Sequence, residues 1–145
     1  VEKLYETIPD FHNTPKRVEQ LLDAIKNNSS GRAESVKEEI EFALKRAGEM
    51  DAVVKAIKEG TVPLRVTHND TKLNNVMFDI KSGEPICVVD LDTVMPGSML
   101  YDYGDALRFG ASTAEEDEKD LSKVWFDLEL FKHFTLGYME EMKDI

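Results

Sequence analysis

Apolar side chains recur at helical spacing in three parts of the chain, and each repeat predicts an amphipathic helix. The first helix begins at Thr14 and Pro15, a capping hydroxyl followed by a proline at the first helical position. The second begins at a capping box formed by Ser35 and Glu38 and continues as one long helix to Gly60. The apolar positions are, in the first, Val18, Leu21, Leu22 and Ile25; in the second, Val36, Ile40, Ala43, Leu44, Ala47, Met50, Val54 and Ile57; in the third, Leu121, Val124, Trp125, Leu128, Phe131, Phe134, Tyr138 and Met139.

An acidic segment precedes the third helix. It opens at a second capping box, formed by Thr113 and Glu116, and the helix itself is expected to begin at Leu121. Its aromatic side chains are expected to lie in the core and not to stack on nucleic-acid bases, because an acidic protein repels the phosphates of nucleic acids. His133 is expected on the exposed face of this helix.

Two short apolar segments, residues 76–79 and 86–89, are rich in strand-forming side chains and are separated by a turn signal at residues 81–85. If Asp79 pairs with Ile86, Asn75 lies opposite Asp90, and directly opposed Cβ atoms are roughly 5 Å apart. Asp92 faces the same side if the chain remains extended. The sequence therefore predicts a hairpin that brings oxygen ligands together.

Polar side chains at both ends of this hairpin form a recognisable set. His68, Asp70 and Asn75 have the spacing H-x-D-x-x-x-x-N, and Asp90 and Asp92 follow the second strand. Phosphoryl transfer from a nucleotide needs an aspartate that accepts the proton of the attacking hydroxyl, and an asparagine and another aspartate that hold Mg²⁺. The spacing is that of the protein-kinase catalytic loop, with the later aspartate in the place of the D-F-G aspartate. Oxygen-only ligands suit a hard ion such as Mg²⁺.

The remaining polar segments are expected to be irregular. Residues 1–13 have no clean period, and His12 is interpreted as a loop residue, with contact to a polar substrate as the second interpretation. Residues 93–98 are expected to form a turn-rich loop. Either Asp102 or Asp105 could accept hydrogen bonds from amides of the H-x-D loop, although a carboxylate also stabilises the start of a helix.

The composition limits the classes of function. The chain has 145 residues, enough for one domain with a core, and 41% of them are hydrophobic and 32% charged, which argues against disorder. A net charge of −11 argues against a nucleic-acid partner and against an anionic membrane surface. One cysteine, Cys87, excludes a disulfide framework and is expected to be buried in its strand. The absence of a signal peptide or spanning segment points to the cytoplasm.

A nucleotide kinase also needs a loop that covers the phosphates. Neither G-x-G-x-x-G nor G-x-x-x-x-G-K-[ST] occurs here, and the chain starts at Val1 without an initiating methionine. We therefore expect the chain to be an excised part of a longer protein, a single domain of 145 residues without the nucleotide-clasping N-terminal lobe. Alone, it is expected to have little or no kinase activity.

With these motifs in place, the chain resembles the C-terminal lobe of the aminoglycoside phosphotransferase/choline kinase-like superfamily. Within it, residues 67–77 (THNDTKLNNVM) and 89–97 (VDLDTVMPG) resemble the N-acetylhexosamine kinases, which phosphorylate the anomeric hydroxyl of N-acetylglucosamine or N-acetylgalactosamine, and residues 8–15 and 101–108 fit the same group. The resemblance implies an α+β fold, the mostly helical C-terminal lobe of a protein-kinase-like fold with a small antiparallel β-hairpin that carries the active site.

The resemblance also implies roles for individual residues. Asp70 would be the base or orienter for the sugar hydroxyl, and Mg²⁺ would be bound by Asn75 and Asp90, with Asp92 as a second aspartate ligand. ATP would be the phosphoryl donor and a small sugar the acceptor. The residues implied to support the catalytic loop are His68 and Asp102. Lys72 is a candidate phosphate contact, with a solvent-exposed lysine as an equal alternative.

The motif departs from protein kinases at Asn69, where arginine is usual, and at Leu91 and Asp92, where Phe-Gly is usual. This favours a small-molecule kinase over a regulated protein kinase. The alternatives are a kinase for another alcohol, such as an aminoglycoside or choline-like substrate, a non-catalytic kinase-like binding domain and a general metal-binding domain. A sulfatase is rejected, because Cys87 is not in a C-x-P-x-R setting.

Overall fold

The computed structural model describes residues 4–143, so the first three residues of the expected lead-in and the last two residues of the chain lie outside the described part. The chain divides into two compact units: Ile8–Leu64 is one, and Val1–Thr7 together with Arg65–Ile145 is the other. The expectation of a single domain stays a prediction. Among the described residues, no helix is both long enough and apolar enough to cross a bilayer.

The unit Ile8–Leu64 is entirely helical. Its elements, in chain order, are α1 (Thr14–Asn27), a 3₁₀ turn (Ala33–Val36), α2 (Lys37–Arg46), a second 3₁₀ turn (Ala47–Glu49) and α3 (Ala52–Lys58). The prediction of one long second helix is wrong, because the chain tightens after Arg46 and only resumes as α3 at Ala52.

Helix starts in this unit use different groups from those predicted. Asn13, not Thr14, caps α1, and its side chain accepts a hydrogen bond from the amide of Lys16, with Pro15 inside the first turn as expected. The predicted capping box at Ser35 is also wrong: the Ser35 hydroxyl donates to the carbonyl of Arg32, within the 3₁₀ turn that precedes α2. The left-handed Asn28 ends α1.

The second unit combines two small antiparallel sheets with two helices. Its elements are β1 (Arg65–Thr67), β2 (Val76–Phe78), β3 (Pro85–Val88), β4 (Met95–Gly97), α4 (Met99–Gly110) and α5 (Leu128–Met142). β1 pairs with β4 and β2 pairs with β3. The chain is therefore α+β, as expected. The prediction of a loop over residues 93–98 is wrong for Met95–Gly97, which form the strand β4 and pair with β1.

The β2–β3 hairpin forms in a register one residue away from the predicted one. Val76 lies opposite Val88 and Met77 opposite Cys87, and the ladder shifts at Phe78. The turn explains the difference, because Asp79 closes it and accepts hydrogen bonds from the amides of Lys81 and Ser82, so that Pro85 is the first residue of β3. Asp79 therefore does not face Ile86 across the ladder.

The C-terminal segment begins its helix later than predicted. α5 starts at Leu128, whereas Leu121 lies in a short 3₁₀ turn. The predicted capping box at Thr113 is wrong, because its hydroxyl donates to the carbonyls of Lys123 and Trp125 and accepts from the Trp125 amide. These bonds hold residues 113 and 125 together as a loop, and the segment between them contains the 3₁₀ turn Leu121–Lys123 but no α-helix.

The most deeply buried side chains of the second unit are largely polar. Only Met95, Leu107 and Ala111 are buried apolar residues among those described, while the buried polar ones are Thr67, Asn69, Asn75, Thr93 and Ser98. The expectation that the late aromatics are core residues is wrong for Trp125 and Phe134, which are 60% and 38% exposed. The expectation of a buried Cys87 is also wrong, because both faces of the hairpin strand that carries it are exposed. The most deeply buried side chains therefore lie around a polar loop.

Candidate active site

Two segments of the second unit meet at the H-x-D motif. The first, residues 67–75, is here called the motif loop; it leaves β1 and ends in a 3₁₀ turn, Leu73–Asn75. The second, residues 89–93, is here called the acidic turn; it joins β3 to the segment before β4. The pairing of Thr67 with Met95 fixes the two segments side by side at one end.

Asp102 anchors the motif loop from α4. Its two carboxylate oxygens accept hydrogen bonds from the backbone amides of His68, at 2.9 Å, and Asn69, at 2.7 Å. The Thr71 hydroxyl donates to the Asp102 carbonyl at 2.6 Å. Asp105, the other aspartate considered for this task, accepts instead from Arg108. Hydrogen bonds to a charged acceptor are stronger than neutral ones, so Asp102 restrains two consecutive peptide groups directly before Asp70.

The imidazole of His68 joins the two segments. Its Nδ1 accepts a hydrogen bond from the Asp70 amide at 3.3 Å, and its Nε2 lies 2.9 Å from the Val89 carbonyl oxygen. Because Nδ1 acts as an acceptor, the proton resides on Nε2 and is donated to Val89. Both ring nitrogens therefore take part in hydrogen bonds within the protein.

Asp70 and Asn75 are in direct contact. Asn75 is 5% exposed, and its Nδ2 donates to the Asp70 carbonyl at 2.8 Å and to the Asp70 carboxylate at 3.1 Å. The Lys72 ammonium lies 3.3 Å from the same carboxylate oxygen, Oδ2. The Val89 amide donates to the Asn75 carbonyl at 2.9 Å, which brings Asn75 beside the acidic turn. Since Nδ2 of Asn75 is committed to Asp70, its Oδ1 is the atom left to act as a ligand.

The acidic turn does not continue in an extended conformation. Asp90 is left-handed, with φ 63°, and residues Leu91–Thr93 form a 3₁₀ turn, so the predicted reason for Asp90 and Asp92 to face the same side is wrong. The two carboxyl groups still meet. The protonated Asp90 carboxyl donates a hydrogen bond to Asp92, and this bond, followed by the charge of Asp92, raises the pKa of Asp90; desolvation and the charge of Asp70 add to this, and Lys72 opposes it.

These residues fit a hard divalent cation. The carboxylates of Asp70 and Asp92 both disfavour the charged form of Asp90, and the Lys72 ammonium offsets this repulsion. Among residues 4–143, no three His, Cys, Asp or Glu side chains form a metal site by themselves. A set of ligands at this place therefore needs the Asn75 carboxamide beside the two aspartates, and such an oxygen set, completed by phosphate oxygens or water, is what Mg²⁺ prefers.

One predicted site residue lies in the other unit, and two side chains at this site were not predicted. His12 belongs to the other unit, where its ring contacts Phe11 with centroids 4.8 Å apart, and its contact to a substrate stays a prediction. Sequence reasoning missed the buried side chains of Asn69 and Thr93, which also join the motif loop to the acidic turn. The available signal was Asn69 itself, a residue type that tolerates the left-handed conformation at a position where protein kinases have arginine.

The comparison with protein families agrees with this geometry. A family model described as the phosphotransferase enzyme family (APH) matches residues 2–130 of the chain. The match includes the motif loop, the acidic turn and all of α4.

Proposed function

Because the chain belongs to the phosphotransferase enzyme family, we propose that it carries the catalytic lobe of an ATP-dependent kinase that phosphorylates a hydroxyl of a small molecule, with Asp70 at the reacting oxygen. The observation that supports this most directly is the meeting of the Asp70–Asn75 contact with the Asp90–Asp92 pair at one polar site. Few other functions need a base, a carboxamide and two aspartates together.

Asp70 accepts the proton of the acceptor hydroxyl or orients that hydroxyl for attack. Two features support this role. The Asn75 amide and the Lys72 ammonium both bind the same carboxylate oxygen, Oδ2, and so hold the side chain in one orientation. The hydrogen bonds of Asp102 and His68 restrain the backbone before and at Asp70. A base held in this way loses little entropy when the acceptor arrives.

Asn75, Asp90 and Asp92 would hold Mg²⁺. The ion would neutralise the phosphates of ATP during phosphoryl transfer. The raised pKa of Asp90 supports this assignment, because like charges that repel one another become favourable once a divalent cation lies between them. Lys72, whose ammonium is at the edge of the same cluster, is the candidate contact for a phosphate.

The proposed acceptor is the anomeric hydroxyl of an N-acetylhexosamine. The support is the resemblance of the sequences 67–77 and 89–97 to the N-acetylhexosamine kinases. We also propose that a phosphate-covering lobe outside this chain is needed for turnover, since no glycine-rich phosphate loop occurs in the 145 residues.

The test is an ADP-release assay of the full-length protein with Mg²⁺, ATP and a panel of sugars, aminoglycosides and choline. We expect turnover with N-acetylhexosamines. Asp70→Asn should lower kcat by about 10²–10⁴-fold while KM changes far less, since a general base acts in the chemical step. Asp51→Asn is the matched control, because Asp51 is exposed and its side chain makes no capping hydrogen bond in the helical unit.

Two outcomes would contradict the proposal. Near-wild-type kcat in Asp70→Asn would remove the role given to Asp70. Turnover with choline or an aminoglycoside but with no sugar would keep the phosphotransferase and replace the acceptor.

A further inference from the structure

Asn69 has an unusual backbone and an unusual environment. Its φ is 69°, in the left-handed region that few non-glycine residues adopt, and the residue is 3% exposed. A left-handed asparagine normally lies at an exposed turn or helix end, as Asn28 does. A conformation that costs free energy persists where the surrounding contacts demand it.

The carboxamide of Asn69 is oriented by three hydrogen bonds. Its Nδ2 donates to the carbonyl of Thr67 at 3.2 Å and to that of Thr93 at 3.0 Å, and its Oδ1 accepts from the Thr67 hydroxyl at 3.0 Å. Only a side chain with a donor and an acceptor in this order satisfies all three. The bond to Thr93 is the one that leaves the motif loop and reaches the acidic turn.

A second bond runs in the opposite direction between the same two segments. The Thr93 hydroxyl donates to the His68 carbonyl at 2.7 Å. Residues 68 and 69 of the motif loop are therefore each bonded to Thr93, which directly follows Asp92. Thr93 is 9% exposed, so water competes poorly for either bond.

The backbone of β4 leaves no room for this carboxamide to move. A Cβ placed on Gly97 would lie 2.2 Å from the Thr67 hydroxyl oxygen and 2.8 Å from Oδ1 of Asn69. Glycine at this position lets the strand lie directly against the Asn69–Thr67 pair. The carboxamide is thus enclosed by β1, β4 and the acidic turn.

From these contacts we propose that Asn69 is a positioning residue, which holds Asp70 and the carboxylates of Asp90 and Asp92 in one fixed relation. The inference rests on the proposed function, since it concerns the spacing between the base and the Mg²⁺ ligands. Asn69 itself does not touch the substrate. It acts through Thr93 on one side and through the adjacent peptide of Asp70 on the other.

The physical reason is pre-organisation. A cation held by side chains from two separate segments is bound tightly only if those segments are already correctly spaced, and residues that support metal ligands typically contribute 10–100-fold to affinity or activity. The backbone joins the motif loop to the acidic turn near their ends, through the bond from the Val89 amide to the Asn75 carbonyl and through the pairing of Thr67 with Met95. Between these ends, the side-chain bonds of Asn69 and His68 connect the two segments.

The experiment separates the carboxamide from the backbone. Asn69→Gly keeps the left-handed conformation, because glycine adopts it freely, and removes the three side-chain bonds. Thr93→Val keeps the shape of Thr93 and removes its bond to His68. Asn28→Gly is the matched control, a left-handed asparagine in the helical unit. Mg²⁺ affinity is measured by calorimetry on this chain, and kcat and KM are measured on the full-length protein.

We expect Asn69→Gly and Thr93→Val each to weaken Mg²⁺ binding and lower kcat by about 10–100-fold, with KM for the acceptor unchanged. Asn28→Gly should change none of these. Wild-type Mg²⁺ affinity and kcat in Asn69→Gly would overturn the inference and leave the proposed function standing, since only the backbone conformation would then matter. If Asn69→Gly loses its helical circular dichroism, Thr67→Val decides by the same criteria, because it leaves Asn69 in place and removes the hydroxyl that donates to its Oδ1. A wild-type protein that neither binds Mg²⁺ nor transfers phosphate would overturn both.

Discussion

The close approach of β4 to the motif loop gives a prediction whose magnitude follows from the structure. Gly97→Ala adds one methyl group at a place where its carbon would lie 2.2 Å from the Thr67 hydroxyl oxygen and 2.8 Å from Oδ1 of Asn69. Both distances are shorter than van der Waals contact, so the strand or the Asn69–Thr67 pair must shift. Overpacking a dense region costs about 1–3 kcal/mol. Loss of the Thr67–Asn69 hydrogen bond adds about 0.5–1.5 kcal/mol.

We therefore expect Gly97→Ala to lower the free energy of unfolding by about 1.5–4.5 kcal/mol. Urea denaturation followed by circular dichroism measures this. The matched control is Gly104→Ala in α4, where a Cβ would meet no atom within 4 Å. Alanine is the better helix former, so this variant should gain about 0.5–1 kcal/mol. One Gly→Ala change should thus destabilise and the other stabilise.

A double variant identifies the clashing atom. Thr67→Ala removes the hydroxyl oxygen nearest to the new methyl group, so Gly97→Ala should cost less in that background, with a coupling of about 0.5–3 kcal/mol as found for residues in contact. A Gly97→Ala protein within about 0.5 kcal/mol of wild type, the range of ordinary surface substitutions, would refute the packing around Asn69.

Two further predictions concern carboxylates of the site. Asp102→Asn should lower the free energy of unfolding by about 1.5–3 kcal/mol, because two backbone amides lose a charged acceptor; unchanged hydrogen exchange at the amides of His68 and Asn69 would contradict it. Asp90→Asn should stabilise the metal-free protein at neutral pH, because the pKa of Asp90 is raised, chiefly by Asp92, and its charged form is disfavoured in the folded state. The gain should vanish below the ordinary aspartate pKa, where both states carry the proton, and equal gains in urea denaturation at pH 3 and pH 7 would contradict this assignment.

The sequence predicted elements well where a local signal decides them. The predicted start of α1 at Thr14 and Pro15 is where the helix begins, because proline in the first turn is a strong local signal. The hairpin was found because strand formers flank a turn, but its register was wrong by one residue, since the side chain of Asp79 closes the turn. Register depends on that one contact, which spacing alone does not reveal.

Longer-range bonds explain the other errors. The apolar stripe from Val36 to Ile57 keeps its period across a break, so periodicity could not show that the helix stops after Arg46. Thr113 was interpreted as a helix cap, whereas its hydroxyl bonds to Trp125, twelve residues away. The strand β4 is only three residues long and contains a proline, so it carries no strand signal and forms because β1 lies beside it.

For the candidate site, residue types and spacing identified the side chains that the structure brings together. They did not predict how those side chains are held. The left-handed backbone at Asp90 replaced the expected extended chain, and the buried bonds of Asn69 depend on a glycine 28 residues later. Such support emerges from packing between segments that are distant in sequence.

The engagement of both nitrogens of His68 affects how chemical labelling of this protein should be interpreted. A reagent that acylates imidazole, such as diethyl pyrocarbonate, needs a free ring nitrogen, and the ring of His68 offers one only when the motif loop opens. His133, with a side chain 76% exposed, provides a fast internal reference in the same sample. The ratio of the two labelling rates therefore measures how often the loop opens. If activity is lost at the same slow rate at which His68 is labelled, the loss reports disruption of the motif loop and does not identify His68 as a proton carrier.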